Sequence, residues 1–273
     1  MREKISRIGV LVGIAAFGLL WLYDPVYSQD ELTQQLCRSL LFRVLGSAVF
    51  LSLSFYLNYR VWHKPLRGSW KVLLPAALVV VNNLPIIALV TKTASVTRTD
   101  LLWLYALDAL FIGLFEELAF RGTLFLAILE KRRDSQKRIF LTTVISSAIF
   151  GLVHLANLLE GAGVGATVMQ VGYSFLIGGM CSIVLLKTGN LLFCALLHAV
   201  YNFCGNLLPH LGTGSWWDTP TVIITAVLAV AVTAWMLFVL LRVRPEETDR
   251  FYPIKKRLPT EDASSVETTG EEI

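Results

Sequence analysis

Long apolar runs dominate this chain of 273 residues. Each run holds roughly twenty residues, the length that a helix needs to cross a hydrocarbon core of about 30 Å. Hydrophobic residues make up 55% of the sequence and charged residues only 16%, whereas soluble domains contain about 45–50% apolar and about 25% charged residues. The pattern therefore predicts an all-α fold, a polytopic bundle of transmembrane helices.

The apolar runs predict about eight spans, at residues 8–23, 40–57, 72–90, 101–129, 139–155, 164–186, 191–208 and 222–241. The third span contains the interruption Asn82-Asn83-Leu84-Pro85. The first span follows basic residues, as an export signal does, but no small-x-small cleavage site precedes Asp24-Pro25. We therefore expect it to be a retained helix.

Basic residues occupy alternate loops and predict the orientation of the bundle. One set of loops and termini carries Arg2, Lys4, Arg7, Arg60, Lys64, Arg67, Lys71, Lys131, Arg132, Arg133, Lys137, Arg138, Lys187, Arg242, Arg244, Arg250, Lys255, Lys256 and Arg257. The opposite loops contribute only Arg38, Lys92 and Arg98. By the positive-inside rule, this alternation predicts an even number of spans with both termini cytoplasmic. It is typical of topology control rather than of nucleic-acid binding.

Ionisable residues inside a span are costly and usually mark function. The fourth span contains two adjacent carboxylates, Glu116 and Glu117, followed by Arg121. Glu117 and Arg121 are four residues apart, so they lie on one helix face and can form an ion pair. Glu116 is rotated by about 100° from that face. We expect a structural role for the paired Glu117 and general acid or base chemistry for Glu116.

Two further polar patterns lie in later spans. Phe150 and His154 share a face of the fifth span, where Gly151 permits close helix approach. His198 and Asn202 share a face of the seventh span. A histidine and an amide on one face can jointly donate to an oxyanion. Taken one at a time, each pattern is equally compatible with structural hydrogen bonding between helices.

Together the three patterns resemble the CPBP family of membrane proteins. This family comprises CAAX prenyl endopeptidases and proteins of bacteriocin processing or self-immunity, with an all-helical membrane core. Its motifs are Glu-Glu-x-x-x-Arg, Phe-x-x-x-His and His-x-x-x-Asn, and all three occur here in that order. The resemblance implies an intramembrane endopeptidase in which Glu116 and His154 activate a water. It further implies that His198 and Asn202 stabilise the oxyanion while Glu117 and Arg121 hold the geometry, with Phe150 supporting the site.

The resemblance covers residues 101–208, which we predict to be the catalytic core with helices four to seven. Residues 1–100 would hold the first three helices and residues 209–244 the last one. Residues 245–273 are polar and acidic, and we predict a disordered cytoplasmic tail there. The four cysteines lack the paired spacing of a disulfide framework or a zinc ribbon.

The sequence leaves a metal mechanism open as an alternative. Glu116, His154 and His198 could form a catalytic zinc site with one open position. The His-Glu-x-x-His pattern of zinc peptidases is absent, and a zinc site would give Asn202 no role. We therefore favour a glutamate mechanism without a cofactor.

Two other functions are compatible with parts of the pattern. One is a proton-coupled transporter that relays protons through the buried ionisable groups, although no internal repeat is visible. The other is a non-catalytic immunity or scaffold protein. For the favoured peptidase we expect a multi-pass location in a bacterial cytoplasmic membrane, with lipid and a protein or peptide substrate as partners and no nucleic acid. The sequence predicts neither an oligomeric state nor a prenylated substrate.

Overall fold

A computed structural model describes residues 26–215 and 218–253. Helices make up most of this part of the chain. They are α1 (Glu31–Tyr56), α2 (Trp70–Asn82), α3 (Ile86–Val90), α4 (Leu102–Ala119), α5 (Leu126–Glu130), α6 (Gln136–Leu152), α7 (Val164–Thr188), α8 (Leu191–Leu211) and α9 (Thr219–Leu240). A π-helical turn (Phe120–Phe125) joins α4 to α5, and 3₁₀ segments cover Thr99–Leu101, Val153–Leu158 and Pro245–Phe251.

Each predicted span from the second onwards overlaps a helix of the structure, although α1 begins nine residues before the predicted second span. By length and composition, five are apolar enough to cross a membrane: α1, α7, α8, α9 and α6 with the 3₁₀ segment that follows it. The predicted fourth span is interrupted by the π-helical turn, and the third is broken after Asn82. The chain is therefore a multi-pass helical membrane protein. The first predicted span lies outside the described residues, and the count of eight stays a prediction.

The break in the third span is stabilised by amide side chains. Helix α2 has 13 residues, about 20 Å at 1.5 Å per residue, which is too short to cross the membrane alone. Asn82 Nδ2 donates to Thr225 Oγ1 at 2.8 Å, and Asn83 Nδ2 donates to the Tyr201 carbonyl at 2.9 Å. These bonds tie the broken segment to α9 and α8. Pro85 then prevents α2 from continuing unbroken into α3.

Helix α4 lies at the centre of the bundle. It packs most extensively against α8 and α1, and Gly113 lets the α8 backbone at Ala195 and Ala199 come close. The predicted close approach at Gly151 is confirmed, since a Cβ there would lie 2.8 Å from the Val171 carbonyl oxygen of α7. The predicted outer segment and the predicted core therefore form one packed bundle.

One end of the bundle carries the basic loops, and the largest hydrophobic cluster extends to it. We call this the basic-loop end; it includes residues 57–71, 130–138, 187–191 and 241–253. Buried side chains in or next to this end include Phe125, Leu126, Leu129, Ile139, Leu185, Leu186, Leu191 and Phe251, all with no exposed area. The core thus fills the basic-loop half of the bundle.

The prediction of a tail that is disordered from residue 245 onwards does not hold for residues 245–253. Pro245–Phe251 forms a 3₁₀ segment, and Phe251 is fully buried. The segment is ordered because its aromatic residues reach the core: Tyr252 donates its hydroxyl to the Leu126 carbonyl at 2.8 Å. The rest of the predicted tail lies outside the described residues.

The opposite end carries a small departure from the predicted all-α fold. Ala94–Val96 (β1) pairs antiparallel with Gly212–Gly214 (β2), with Ser95 opposite Thr213. Nearby, Asp30 caps α1 by accepting from the Thr33 amide at 2.8 Å, and it pairs with Arg98 at 3.1 Å. Hydrogen bonds from Thr33 and then from Arg98 lower the pKa of Asp30 to about 2.

The contact at Gly151 generates a test of the packing. Gly151→Ala should destabilise the protein by about 1–3 kcal/mol, because the added methyl group meets the α7 backbone and overpacking costs roughly that much. Thermal unfolding in detergent would measure the effect. Gly172→Ala is the matched control, since a Cβ at this position in α7 meets no atom within 4 Å. If Gly151→Ala lowers thermal stability no more than Gly172→Ala does, the close contact between Gly151 and α7 is contradicted.

Candidate active site

The two adjacent glutamates lie in the last turn of α4, just before the π-helical turn. The Phe120 amide bonds to the carbonyls of both Glu116 and Glu117. Within this turn, the Thr123 hydroxyl donates to the Leu118 carbonyl five residues earlier at 3.0 Å. Single π-helical turns within α-helices occur frequently at functional sites.

The predicted pairing of Glu117 with Arg121 is confirmed. Arg121 Nη1 lies 2.9 Å from Glu117 Oε1, and their side chains are 0% (Glu117) and 1% (Arg121) exposed. The contact is an ion pair rather than an aligned hydrogen bond, since neither Nη atom of Arg121 has a hydrogen-bond partner among the described residues. The guanidinium also lies over the Phe150 ring, 4.2 Å from its centroid, so Phe150 covers the buried cation.

The same carboxylate also holds His198, a contact that the sequence analysis did not predict. His198 Nδ1 lies 2.8 Å from Glu117 Oε1. Because an ionised carboxylate can only accept, Nδ1 carries the proton and donates it. The ring's other nitrogen, Nε2, then faces Glu116 Oε2 at 3.5 Å. Glu117 therefore fixes the orientation of His198, as an outer carboxylate does in many histidine sites.

His154 is oriented by the backbone of its own helix. It follows the end of α6, and its Nδ1 lies 2.9 Å from the Phe150 carbonyl oxygen. A carbonyl cannot donate, so Nδ1 carries the proton and Nε2 is left as an acceptor. The Phe150 ring stands edge-on to both imidazoles, with centroids 5.2 Å from His154 and 5.7 Å from His198. Phe150 thus spaces the two histidines.

All four predicted catalytic residues line one polar cavity of about 250 Å³, namely Glu116, His154, His198 and Asn202. Glu117 and Arg121 are not part of its lining and lie behind His198. The cavity is formed by α1, α4, α6, α7 and α8. Tyr105 donates its hydroxyl to the Asn202 carbonyl at 3.2 Å, which ties α8 to α4 at the level of Asn202.

The cavity also contains charged groups that the sequence analysis missed. Arg43 Nη1 and Ser39 Oγ donate to Asp108 Oδ1 at 2.8 Å and 2.7 Å. The sequence did contain a signal for Arg43 and Asp108, because both are ionisable residues inside apolar runs. His210, which lies beyond the predicted seventh span at 191–208, is in the last turn of α8 and stacks on Tyr105 at 5.6 Å.

A second, apolar cavity of about 580 Å³ adjoins the polar one. It lies between α2, α6, α7, α8 and α9. The two cavities share the residues Tyr173, Ile177, Tyr201, Asn202 and Asn206. A group that occupies the apolar cavity would therefore lie next to Asn202 and the polar site.

The alternative zinc ligands Glu116, His154 and His198 also line the polar cavity. Among residues 26–215 and 218–253, no group of three or more His, Cys, Asp or Glu side chains is placed to hold a metal ion.

One comparison with known proteins covers the region of this site. Residues 98–204 match the family model described as Rce1-like, Type II CAAX prenyl endopeptidase. This confirms the family resemblance drawn from the three sequence motifs. No curated protein and no solved structure matches the chain.

The buried ion pair predicts different effects for the two glutamates. Glu117→Gln should destabilise the protein by about 3–5 kcal/mol, because it leaves the buried Arg121 without its counter-charge. Glu116→Gln should have a much smaller effect, since the Glu116 side chain is 22% exposed and its contact with His198 is 3.5 Å long. Thermal unfolding of the two variants in one detergent would compare them. Equal losses of thermal stability in the two variants would contradict the claim that Glu117, and not Glu116, has the structural role.

Proposed function

We propose that this protein is an intramembrane endopeptidase with a glutamate mechanism, supported by the match of residues 98–204 to the Rce1-like family model of Type II CAAX prenyl endopeptidases. The observation that carries the proposal is the convergence of Glu116, His154, His198 and Asn202 on one cavity. These side chains come from three helical regions that are distant in sequence. A cavity within the bundle also provides the space for water that hydrolysis in a membrane requires.

In the proposed reaction, Glu116 and His154 activate the attacking water. His154 presents Nε2 as an acceptor because its Nδ1 proton is bonded to the Phe150 carbonyl. One of the two groups takes the proton from the water and the other accepts its second hydrogen bond. The water oxygen attacks the peptide carbonyl, and the proton passes to the leaving amine when the tetrahedral intermediate collapses.

His198 and Asn202 would stabilise the oxyanion of that intermediate. The proposal gives His198 the imidazolium form, because Glu116 and Glu117 are then balanced by His198 and Arg121. This balance matters in a pocket where His198 is 5% exposed and Arg121 1% exposed, since an uncompensated buried charge is costly. Imidazolium Nε2–H and the Asn202 amide can then both donate to the developing negative charge.

The apolar cavity supports the proposal that the substrate is hydrophobic next to the cleaved bond. Its position beside Asn202 would let an apolar side chain or a lipid substituent lie within the bundle while the peptide bond reaches the polar site. We therefore propose a membrane-associated protein or peptide with an apolar segment next to the cleaved bond.

Loss of the proposed base should remove activity without unfolding the protein. Glu116→Gln should lower processing by about a hundredfold or more, the usual contribution of a general base. Mass spectrometry of membrane peptides from cells that produce wild type or variant would detect accumulated substrate. Glu160→Gln, at an exposed loop position, is the matched control. If Glu116→Gln and Glu117→Ala both leave processing unchanged, the peptidase assignment is wrong.

The oxyanion role predicts a separate loss at Asn202. Asn202→Ala should reduce the rate of cleavage by about 10²–10³, as removal of one oxyanion donor typically does, with little change in thermal stability. Cleavage of a substrate identified by the Glu116→Gln comparison would be followed over time. An unchanged rate for Asn202→Ala would remove this residue from the mechanism.

Two controls separate the proposal from its alternatives. Inhibition of cleavage by a chelator, with recovery on adding zinc, would replace the glutamate mechanism by a metal one. Proton flux driven by a pH gradient in proteoliposomes, abolished by Glu116→Gln, would instead indicate a transporter. Under the peptidase proposal we expect neither result.

A further inference from the structure

The polar cavity runs along the bundle from a buried floor to an exposed end. Around Glu116 its lining includes the buried side chains of Phe150, His198 and Ile177, which are 2%, 5% and 6% exposed. At the other end its lining includes Gln35, Asn206 and His210, all of which are exposed. Gln35 lies near the start of α1 and His210 near the end of α8. The exposed end of the cavity therefore lies at the end of the bundle opposite the basic loops.

The floor of the cavity is closed by the hydrophobic core. Directly beyond Glu117 and Arg121 in sequence come Phe125, Leu126 and Leu129, all with no exposed area. They pack with the buried ends of α7 and α8 in one cluster. No polar side chain of the polar cavity's lining belongs to the basic-loop end. The polar lining therefore ends short of the basic-loop end, whereas the apolar cavity reaches Phe140 and Leu240 beside that end.

The segment after α9 also covers the basic-loop end of the bundle. Its Phe251 is fully buried, and Arg60 donates its backbone amide to the Phe251 carbonyl at 2.9 Å. Lys187 Nζ pairs with Glu247 at 2.7 Å, and Arg250 donates to the Leu186 carbonyl. These contacts hold the segment across the ends of α7 and α1.

Charge assigns the two ends to the two sides of the membrane. The closed end carries nearly all the basic loop residues of the described chain, whereas the open end carries Asp30, Asp100 and Asp218 with only Arg38, Lys92 and Arg98. Arg98 is moreover paired with Asp30 and Asp100. By the positive-inside rule, the closed end is cytoplasmic.

We infer that water and substrate reach Glu116 from the non-cytoplasmic side of the membrane. The inference rests on the proposed function and narrows its substrate class. The substrate would be a peptide segment of an exported or membrane-inserted protein, presented at the non-cytoplasmic surface, rather than a lipid-anchored protein of the cytoplasm. The apolar part of that segment would enter the bundle beside Asn202, and the products would leave on the same side.

Single cysteines at the two ends would test the sidedness. The background is Cys37→Ser, since the other cysteines are buried. Gln35→Cys and Asn206→Cys mark the cavity, and Lys131→Cys marks the closed end at an exposed position. In right-side-out membrane vesicles, a charged maleimide should label the two cavity cysteines about tenfold faster than Lys131→Cys, because a charged reagent crosses the hydrocarbon core poorly. After permeabilisation, Lys131→Cys should label as fast as Gln35→Cys.

Each other outcome overturns part of the inference. Labelling of Lys131→Cys but not Gln35→Cys in intact vesicles would reverse the orientation. Labelling of Gln35→Cys without Asn206→Cys, even after permeabilisation, would show that the cavity is not open at this end. The labelling does not depend on catalysis. The same pattern in the Glu116→Gln protein, together with unchanged processing, would leave the sidedness intact and remove only the peptidase function.

Discussion

The arrangement of the site depends on one buried chain of charges, in which Glu117 holds Arg121 on one side and His198 on the other. Arg121 belongs to the same helical run as Glu117, while His198 belongs to α8. The carboxylate therefore sets the rotation of α4 against α8 and the direction of the His198 ring at once. Phe150 extends the chain to α6, because its ring covers Arg121 and its carbonyl orients His154.

These charged contacts also explain how the adjacent carboxylates Glu116 and Glu117 acquire different environments. Glu117 is fully buried between two cations or proton donors, whereas Glu116 reaches into the cavity. Their separation follows from a rotation of about 100° per residue along one helix. The polar cavity then meets the apolar one near Tyr201 and Asn202, so reactive groups and a hydrophobic compartment lie side by side.

Contacts within one helix were predictable from the sequence, and contacts between helices mostly were not. The Glu117–Arg121 pair follows from spacing alone, and the close approach at Gly151 follows from the lack of a side chain. The Glu117–His198 contact depends on how α4 and α8 rotate against each other, which no local pattern reports. Convergence of the three motifs could be expected only through the family resemblance.

Other features were missed for different physical reasons. Arg43 and Asp108 lie in separate apolar runs, and their pairing across α1 and α4 was overlooked although each is unusual in its span. Residues 245–253 have the polar composition of a tail, but Phe251 and Tyr252 provide enough apolar surface to fix the segment against the core. The π-helical turn has no recognisable sequence signal in Phe120–Phe125.

The weak attachment of α9 has a consequence for the setting in which the protein works. This helix buries only Thr221, Val232, Met236 and Leu240, yet it forms one wall of the apolar cavity. Most of its surface faces outward, so in a bilayer we expect acyl chains to lie against the outer side of that wall. The width of the compartment is then a joint property of protein and bilayer. Thickness and fluidity of the surrounding lipid would adjust which hydrophobic groups fit, a form of tuning that extraction into short-chain detergent would erase.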